Sequence, residues 1–248
     1  MAGRIREHFE IAAMTADKSD VRSVQGQGTV YPVELRVLAV AFVLITLGLQ
    51  MWPGASELLR FSRPAYEQGA FWQPLTSQGV HLSIWHAVGN AFAFVAVIFA
   101  CAFWVRWPLQ MLALAGGYIG VAAVVAVDPN CSYYAGVSGA LHGMLAGNAA
   151  GMTCAANPPE PSAHLPGQAG KLAIKRWTRL LGTAILTGLA VKLWLQTGLA
   201  GEAPLTGWSF PVYHPSHVAG AVGGMGVVLF FLAVQALLAA KVKSEAGQ

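Results

Sequence analysis

One serine and five histidines are the side chains in this sequence best suited to making and breaking bonds. Ser138 lies in Gly136-Val137-Ser138-Gly139, and His81, His86, His142, His214 and His217 all fall near the ends of apolar runs. A serine hydroxyl is a weak nucleophile until a base takes its proton, and neutral imidazole is well suited to that task. Asn90 follows His86 by four residues, so on a helix the two share a face. Donors of that kind, aimed at a developing oxyanion, are the other half of an acyl-transfer site. Each histidine alone has a plainer reading as an interfacial or hydrogen-bonded residue. Five at one depth point to a single wet site, because polar groups within apolar spans are costly. A metal site is the competing chemistry, but Asn is a poor transition-metal ligand and the apolar runs contain no carboxylate, so neither a metal nor a cofactor is expected.

The elements that must position these residues are apolar helices. Of the 248 residues, 55% are hydrophobic and only 10% are charged, with a mean hydropathy of +0.53. A soluble domain carries about 25% charged residues, so lipid is the expected solvent. The expected fold is all-α, a polytopic bundle of six transmembrane helices. The spans run over about Leu35–Trp52, Leu82–Trp104, Leu109–Val127, Val137–Ala155, Trp177–Leu199 and Ser216–Ala240. A long polar loop with Pro53, Pro64 and Pro74 separates the first two. Residues 1–30 read as a disordered cytoplasmic tail without an apolar signal region, 31–242 as the membrane domain, and 243–248 as a short cytoplasmic tail.

Charge sets the expected orientation. Twelve of the fifteen Lys and Arg flank the spans on the N-terminal side, while only Arg60 and Arg63 lie opposite and Lys192 sits within span 5. That asymmetry places both termini in the cytoplasm and the Ser138 end of span 4 on the far side. The net charge of +4 is spread beside apolar runs rather than gathered on one face, which argues against nucleic acid as a partner. Three cysteines are too few for a disulfide framework; Cys101 and Cys154 read as small core residues and Cys131 as a free loop thiol.

Glycines then connect the serine to a base. Gly139, Gly143, Gly147 and Gly151 recur every four residues along span 4, and Gly220 and Gly224 repeat that spacing in span 6. Small residues so spaced let two helix backbones approach closely in lipid. Such packing brings His217, one turn before Gly220, to the start of span 4 and to Ser138. His142 shares the face of Ser138 at i, i+4 and stands as the alternative base; the glycine spacing favours His217. No Asp or Glu is placed to orient His217, so a dyad is expected. Lys192 reads as a snorkelling residue or as a cavity lysine contacting substrate or a lipid headgroup.

These residues together resemble the rhomboid family of intramembrane serine proteases. The segment from His81 through His86 to Asn90 is similar to the family's HxxxxHxxxN pattern, Gly136 to Gly139 to its GxSG motif, and His217-Val218-Ala219-Gly220 to its last-span histidine with a small-residue ridge. The resemblance covers about Leu35 to Ala240. It implies Ser138 as nucleophile, His217 as general base, His86 and Asn90 as the oxyanion hole, and His81 as a structural residue near the entrance. Trp72-Gln73 departs from the family's Trp-Arg pair in the first outer loop. His142, together with Lys192 and Gln196, looks like the rhombosortase branch, whose members process proteins carrying a C-terminal Gly-Gly, transmembrane helix and basic tail.

The resemblance therefore implies a serine endopeptidase in the cytoplasmic membrane of a Gram-negative bacterium, with its site toward the periplasm. Its partners would be the lipid bilayer and membrane-anchored protein substrates. Two rival functions fit parts of the pattern. One is a proteolytically inactive rhomboid-like protein that holds clients; the other is a metal or proton transporter built on the histidine cluster. The sequence names neither the substrate nor an oligomeric state.

Overall fold

The structure is a computed structural model that describes residues 32–154, 167–196 and 212–246. The expected tail over 1–30 lies outside the described residues, as do His8 and His164. In chain order the elements are α1 (Val33–Met51), α2 (Ala55–Leu59), β1 (Phe61–Ser62), α3 (Arg63–Glu67) and α4 (Gln73–Thr76), which leads into a 3-10 turn at Ser77–Gly79. They continue with α5 (Ile84–Cys101), α6 (Trp107–Val127), β2 (Tyr133–Tyr134), α7 (Ser138–Cys154), α8 (Gly167–Gln196) and α9 (Pro215–Ala246). Five of these helices are long and apolar enough to cross a membrane: α1, α5, α6, the Leu172–Gln196 part of α8 and the Pro215–Glu245 part of α9. The chain is thus an all-α, multi-pass type of bundle with one small strand pair added.

Local chemistry explains the boundaries. Ser83 caps α5 by accepting a hydrogen bond from the His86 backbone N–H at 3.1 Å. Pro108 enters α6 in its first turn, where no backbone donor is needed. Helix α8 starts ten residues before the expected Trp177, and α9 runs six past the expected Ala240. Both extensions are basic, holding Lys171, Lys175 and Arg176 at one end and Lys241 and Lys243 at the other. Hydropathy marks where a helix leaves lipid; it does not mark where the backbone stops being helical. The exposed Lys241–Glu245 pair, 3.9 Å apart at i, i+4, is typical of such a helix in water.

Helix α7 is the hub. It packs most extensively on α9, then on α6, and on α8. Most of its residues are buried, although its Gly- and Ala-rich sequence is the least hydrophobic of the central helices. Backbone proximity explains the composition. A Cβ on Gly220 would stand 1.9 Å from the Gly139 carbonyl oxygen, and one on Gly224 would stand 2.2 Å from that of Gly143. The expected close packing of spans 4 and 6 is present, and α6 forms a third wall of the same seam. A Cβ on Gly120 would meet the Ala219 carbonyl oxygen at 2.3 Å, and one on Gly117 the Ala140 oxygen at 2.7 Å.

The long loop after α1 is folded rather than open. Strand β1 pairs antiparallel with β2, Phe61 opposite Tyr134 and Ser62 opposite Tyr133. Gln73 stands where the family pattern has Arg, and it is buried, its Oε1 accepting from the Ser62 backbone N–H at 3.0 Å. Arg63 supplies the stronger tether. Its guanidinium donates to the carbonyls of Val125 (2.7 Å) and Ala126 (2.8 Å) in the last turn of α6, of its C-cap Asp128 (2.5 Å), and of Cys131 (3.3 Å) in the loop that follows. The last-turn carbonyls have no intrahelical partner, and a cation there also faces the negative end of the helix dipole.

Candidate active site

Ser138 opens α7 at the point where the chain leaves β2. Gly136 makes that entry with φ +123, and a Cβ there would approach the His86 ring to 2.8 Å. Both conditions require glycine. The hydroxyl of Ser138 lies 3.0 Å from His217 Nε2, across the α7–α9 seam. The other ring nitrogen of His217, Nδ1, lies 3.1 Å from Gln196 Oε1, near the end of α8. His217 is 5% exposed, so a bulk water molecule does not compete freely for either contact.

His142 occupies the place beside this pair. Its ring stacks on that of His217, with centroids 4.2 Å apart and planes 13° from parallel. Its Nδ1 is 2.7 Å from the Ser138 carbonyl oxygen, and its Nε2 is hydrogen-bonded to Lys192 Nζ. A carbonyl only accepts and an ammonium only donates, so His142 is held neutral with Nδ1–H outward to Ser138 O and Nε2 accepting from Lys192. Neither nitrogen faces the Ser138 hydroxyl. Sequence left His142 open as the base; in the structure the nitrogen facing that hydroxyl belongs to His217.

The remaining histidines gather on the other side. His81 and His86 meet edge to face at 5.0 Å, and His214 lies 5.9 Å from His217. His81 is 2% exposed, a buried residue packed edge to face on His86. Burial, reinforced by His86, pushes its pKa down to about 3, which keeps it neutral. Burial and then the charge of Lys192 also lower that of His214. Asn90 is buried one turn deeper than His86 on α5, and its Nδ2 has no hydrogen-bond partner among the described residues. Among those residues no group of three or more His, Cys, Asp or Glu is arranged to hold a metal ion.

A cavity of about 210 Å³ opens onto Ser138 and His217. His86 lines it, together with the segment from Asn130 to Ala135 and with Val212, Tyr213 and Ser216. Sequence reasoning had not assigned the tyrosines. Tyr134 is buried against the seam, where desolvation pushes its phenol up to about 12. Tyr213 donates to Asp128 Oδ2 at 2.5 Å and so ties the approach to α9 to the end of α6. The signal available in the sequence was position: Tyr134 precedes Ser138 by four residues and Tyr213 precedes His217 by four.

Cys101 is buried as expected. Cys131 is a free thiol in a loop, as expected, but it is 1% exposed, packed with Phe61, Val121, Val125 and Tyr134 beneath the strand pair. Burial pushes its pKa up to about 11. Cys154, expected in the core, is exposed at the far end of α7.

No family model, curated protein or solved structure matches the chain.

Proposed function

We propose that the protein is an intramembrane serine endopeptidase of the rhomboid type, with Ser138 as nucleophile and His217 as general base. The observation that carries this reading is the 3.0 Å contact between the Ser138 hydroxyl and His217 Nε2 at the floor of a cavity. In the reaction, His217 Nε2 takes the hydroxyl proton as Oγ attacks a peptide carbonyl. It then gives that proton to the leaving amine, and water releases the acyl group by the same route in reverse. The oxyanion would be met by His86 from the cavity wall, by the amide of Asn90 and by the backbone N–H of Ser138 at a helix start. Unpartnered in the resting site, the buried Asn90 Nδ2 has donor capacity to spare for that charge.

Helix α7 completes the proposed topology as a sixth span. Its 17 residues sit at the short end of the range that crosses a bilayer, and because it is sheathed by other helices it need not be as apolar as a lipid-facing one. Six spans would put both termini on one side; the Lys and Arg asymmetry makes that side the cytoplasm, with the cavity toward the periplasm of a bacterial inner membrane. The substrates would be membrane-anchored proteins, with a rhombosortase-like C-terminal Gly-Gly signal as the class the sequence resemblance implies.

The test is active-site labelling. Purified protein in liposomes, treated with a fluorophosphonate and digested, is expected to carry the adduct on Ser138, and Ser138→Ala and His217→Ala are expected to carry none. Asn90→Ala should retain the fold but slow labelling by roughly 2.7–4 kcal/mol of lost transition-state stabilisation. Absence of the adduct from the wild-type protein, in detergent and in liposomes alike, would overturn the reading.

A further inference from the structure

The two histidines at the site both bond to α8, a helix that carries no part of the proposed dyad. Lys192 and Gln196 lie four residues apart on one face of its last turns, and Lys192 holds His142 while Gln196 holds His217. We propose that Gln196 is the positioning residue of this site, a third member that fixes His217 in the tautomer with Nδ1 protonated and Nε2 free to accept. The inference rests on the proposed serine chemistry and adds to it a group supplied by a third helix.

The contacts at the two ring nitrogens support the assignment. The group facing His217 Nδ1 is an amide oxygen at 3.1 Å, which accepts and cannot donate. With the proton on Nδ1, both contacts of the ring are satisfied: Nδ1–H donates to Gln196, and Nε2 accepts from the Ser138 hydroxyl at 3.0 Å. With the proton on Nε2, two lone pairs would face each other across the Gln196 contact, and the nitrogen near Ser138 would be unable to take its proton. Tautomer choice by the bond at the far nitrogen is a general property of imidazole. The stack on His142 restrains a different coordinate. His142 is pinned at both nitrogens, by Ser138 O and by Lys192, and its ring lies 4.2 Å from that of His217, so the stack holds the plane of the base while Gln196 sets which edge bears hydrogen. A neutral amide does this without adding a negative charge to a site sheltered from water.

Nitrogen-15 resonances of the histidine rings in the full-length protein in nanodiscs read the tautomer directly, with His217 identified by its loss in His217→Ala. The wild type is expected to show Nδ1 protonated and Nε2 bare. Gln196→Leu should give a mixture, and Gln196→Glu, which keeps an acceptor, should restore a single Nδ1–H form. Fluorophosphonate labelling of Ser138 should slow about tenfold in Gln196→Leu, with probe saturation unchanged, because a fraction of molecules then holds the wrong tautomer. Gln196→Glu should recover the rate but move the acid limb of its pH profile upward, because a carboxylate beside Nδ1 favours the imidazolium. The proposal is overturned if the wild type holds the Nε2–H form, or if Gln196→Leu keeps both the wild-type tautomer and the wild-type rate profile. Loss of the Nδ1–H form in Gln196→Leu without Ser138 labelling in any variant would leave the positioning intact and remove the protease reading instead.

Discussion

The α6–α7–α9 seam and the α7–α8 contact are built on opposite principles. In the seam, backbones touch: glycine Cα and carbonyl atoms of three helices stand where side chains would otherwise be. Among the described glycines of α8, Gly182 makes such an approach, its missing Cβ falling 2.7 Å from the Ala149 carbonyl oxygen, while Gly188 faces open space. Much of the described surface of α8 is exposed, including Trp177, Val191 and Trp194. The seam fixes the distance between Ser138 and His217. The looser helix contributes the polar ends that aim the rings. Distance is therefore entrusted to packing with no freedom in it, and orientation to hydrogen bonds that can be made and broken at small cost.

The largest expected effect comes from breaking the seam. Gly220→Val places side-chain atoms where the Gly139 carbonyl already stands, so the helices must separate. A displacement of about 1 Å at a reacting pair can cost about a hundredfold, and labelling of Ser138 should fall at least that far. The matched change on the loose side, Gly188→Ala, should leave labelling and melting temperature unchanged or slightly raised. Equal losses in the two variants would erase the distinction between the regions.

Next in size is Arg63→Met, which removes four hydrogen bonds to the end of α6 and the loop after it. A charged group's hydrogen bonds contribute about 1.5–3 kcal/mol each when buried and less when part-exposed, so a loss of roughly 2 kcal/mol in unfolding free energy is expected, read by steric-trapping or denaturant titration in micelles. His142→Phe sharpens the assignment of the base. It keeps a flat ring against His217 and loses both hydrogen bonds, so labelling should stay within about tenfold of wild type, a cost of about 1.4 kcal/mol or less. Activity retained in His217→Ala but lost in His142→Phe would reverse the roles.

The smallest effect is a pH dependence at the outer loops. The Tyr213 hydroxyl, with Asn130 in support, holds the half-buried Asp128 carboxyl below its ordinary range, while burial and the Asp128 bond push the Tyr213 phenol up. A carboxyl lowered in the folded state stabilises above its unfolded pKa, and that contribution is lost as pH falls through the lower folded value. Thermal midpoints of wild type and Tyr213→Phe should differ slightly at neutral pH and converge below the ordinary carboxylate range. A gap that widens in acid would contradict the linkage.

Much of this arrangement was legible in the sequence because it is periodic. Fourfold spacing of glycines in α7 and α9 states which faces meet, and a helix start at Ser138 states the depth. The third wall was not legible: Gly116, Gly117 and Gly120 sit in a run apolar on every side, so nothing marks the face they occupy. Gln196 is visible as a residue, but nothing in its spacing marks its amide, rather than a carboxylate, as the partner of His217. Its contact depends on the rotation of α8 about its own axis, which hydropathy does not encode. The burial of Cys131 was not legible because it is created by a two-residue strand pairing, Phe61–Ser62 with Tyr133–Tyr134, too short to show as alternation.

The placement of the thiols has a redox consequence. Cys131 and Cys154 lie at opposite ends of α7, and in the proposed orientation the first faces an oxidising compartment and the second a reducing one. The thiol on the oxidising side is sealed beneath the strand pair and protonated, while the exposed one is where cellular reductants keep it reduced. A chain so arranged can present its serine to the oxidising side without offering an exposed thiol there to stray disulfide exchange.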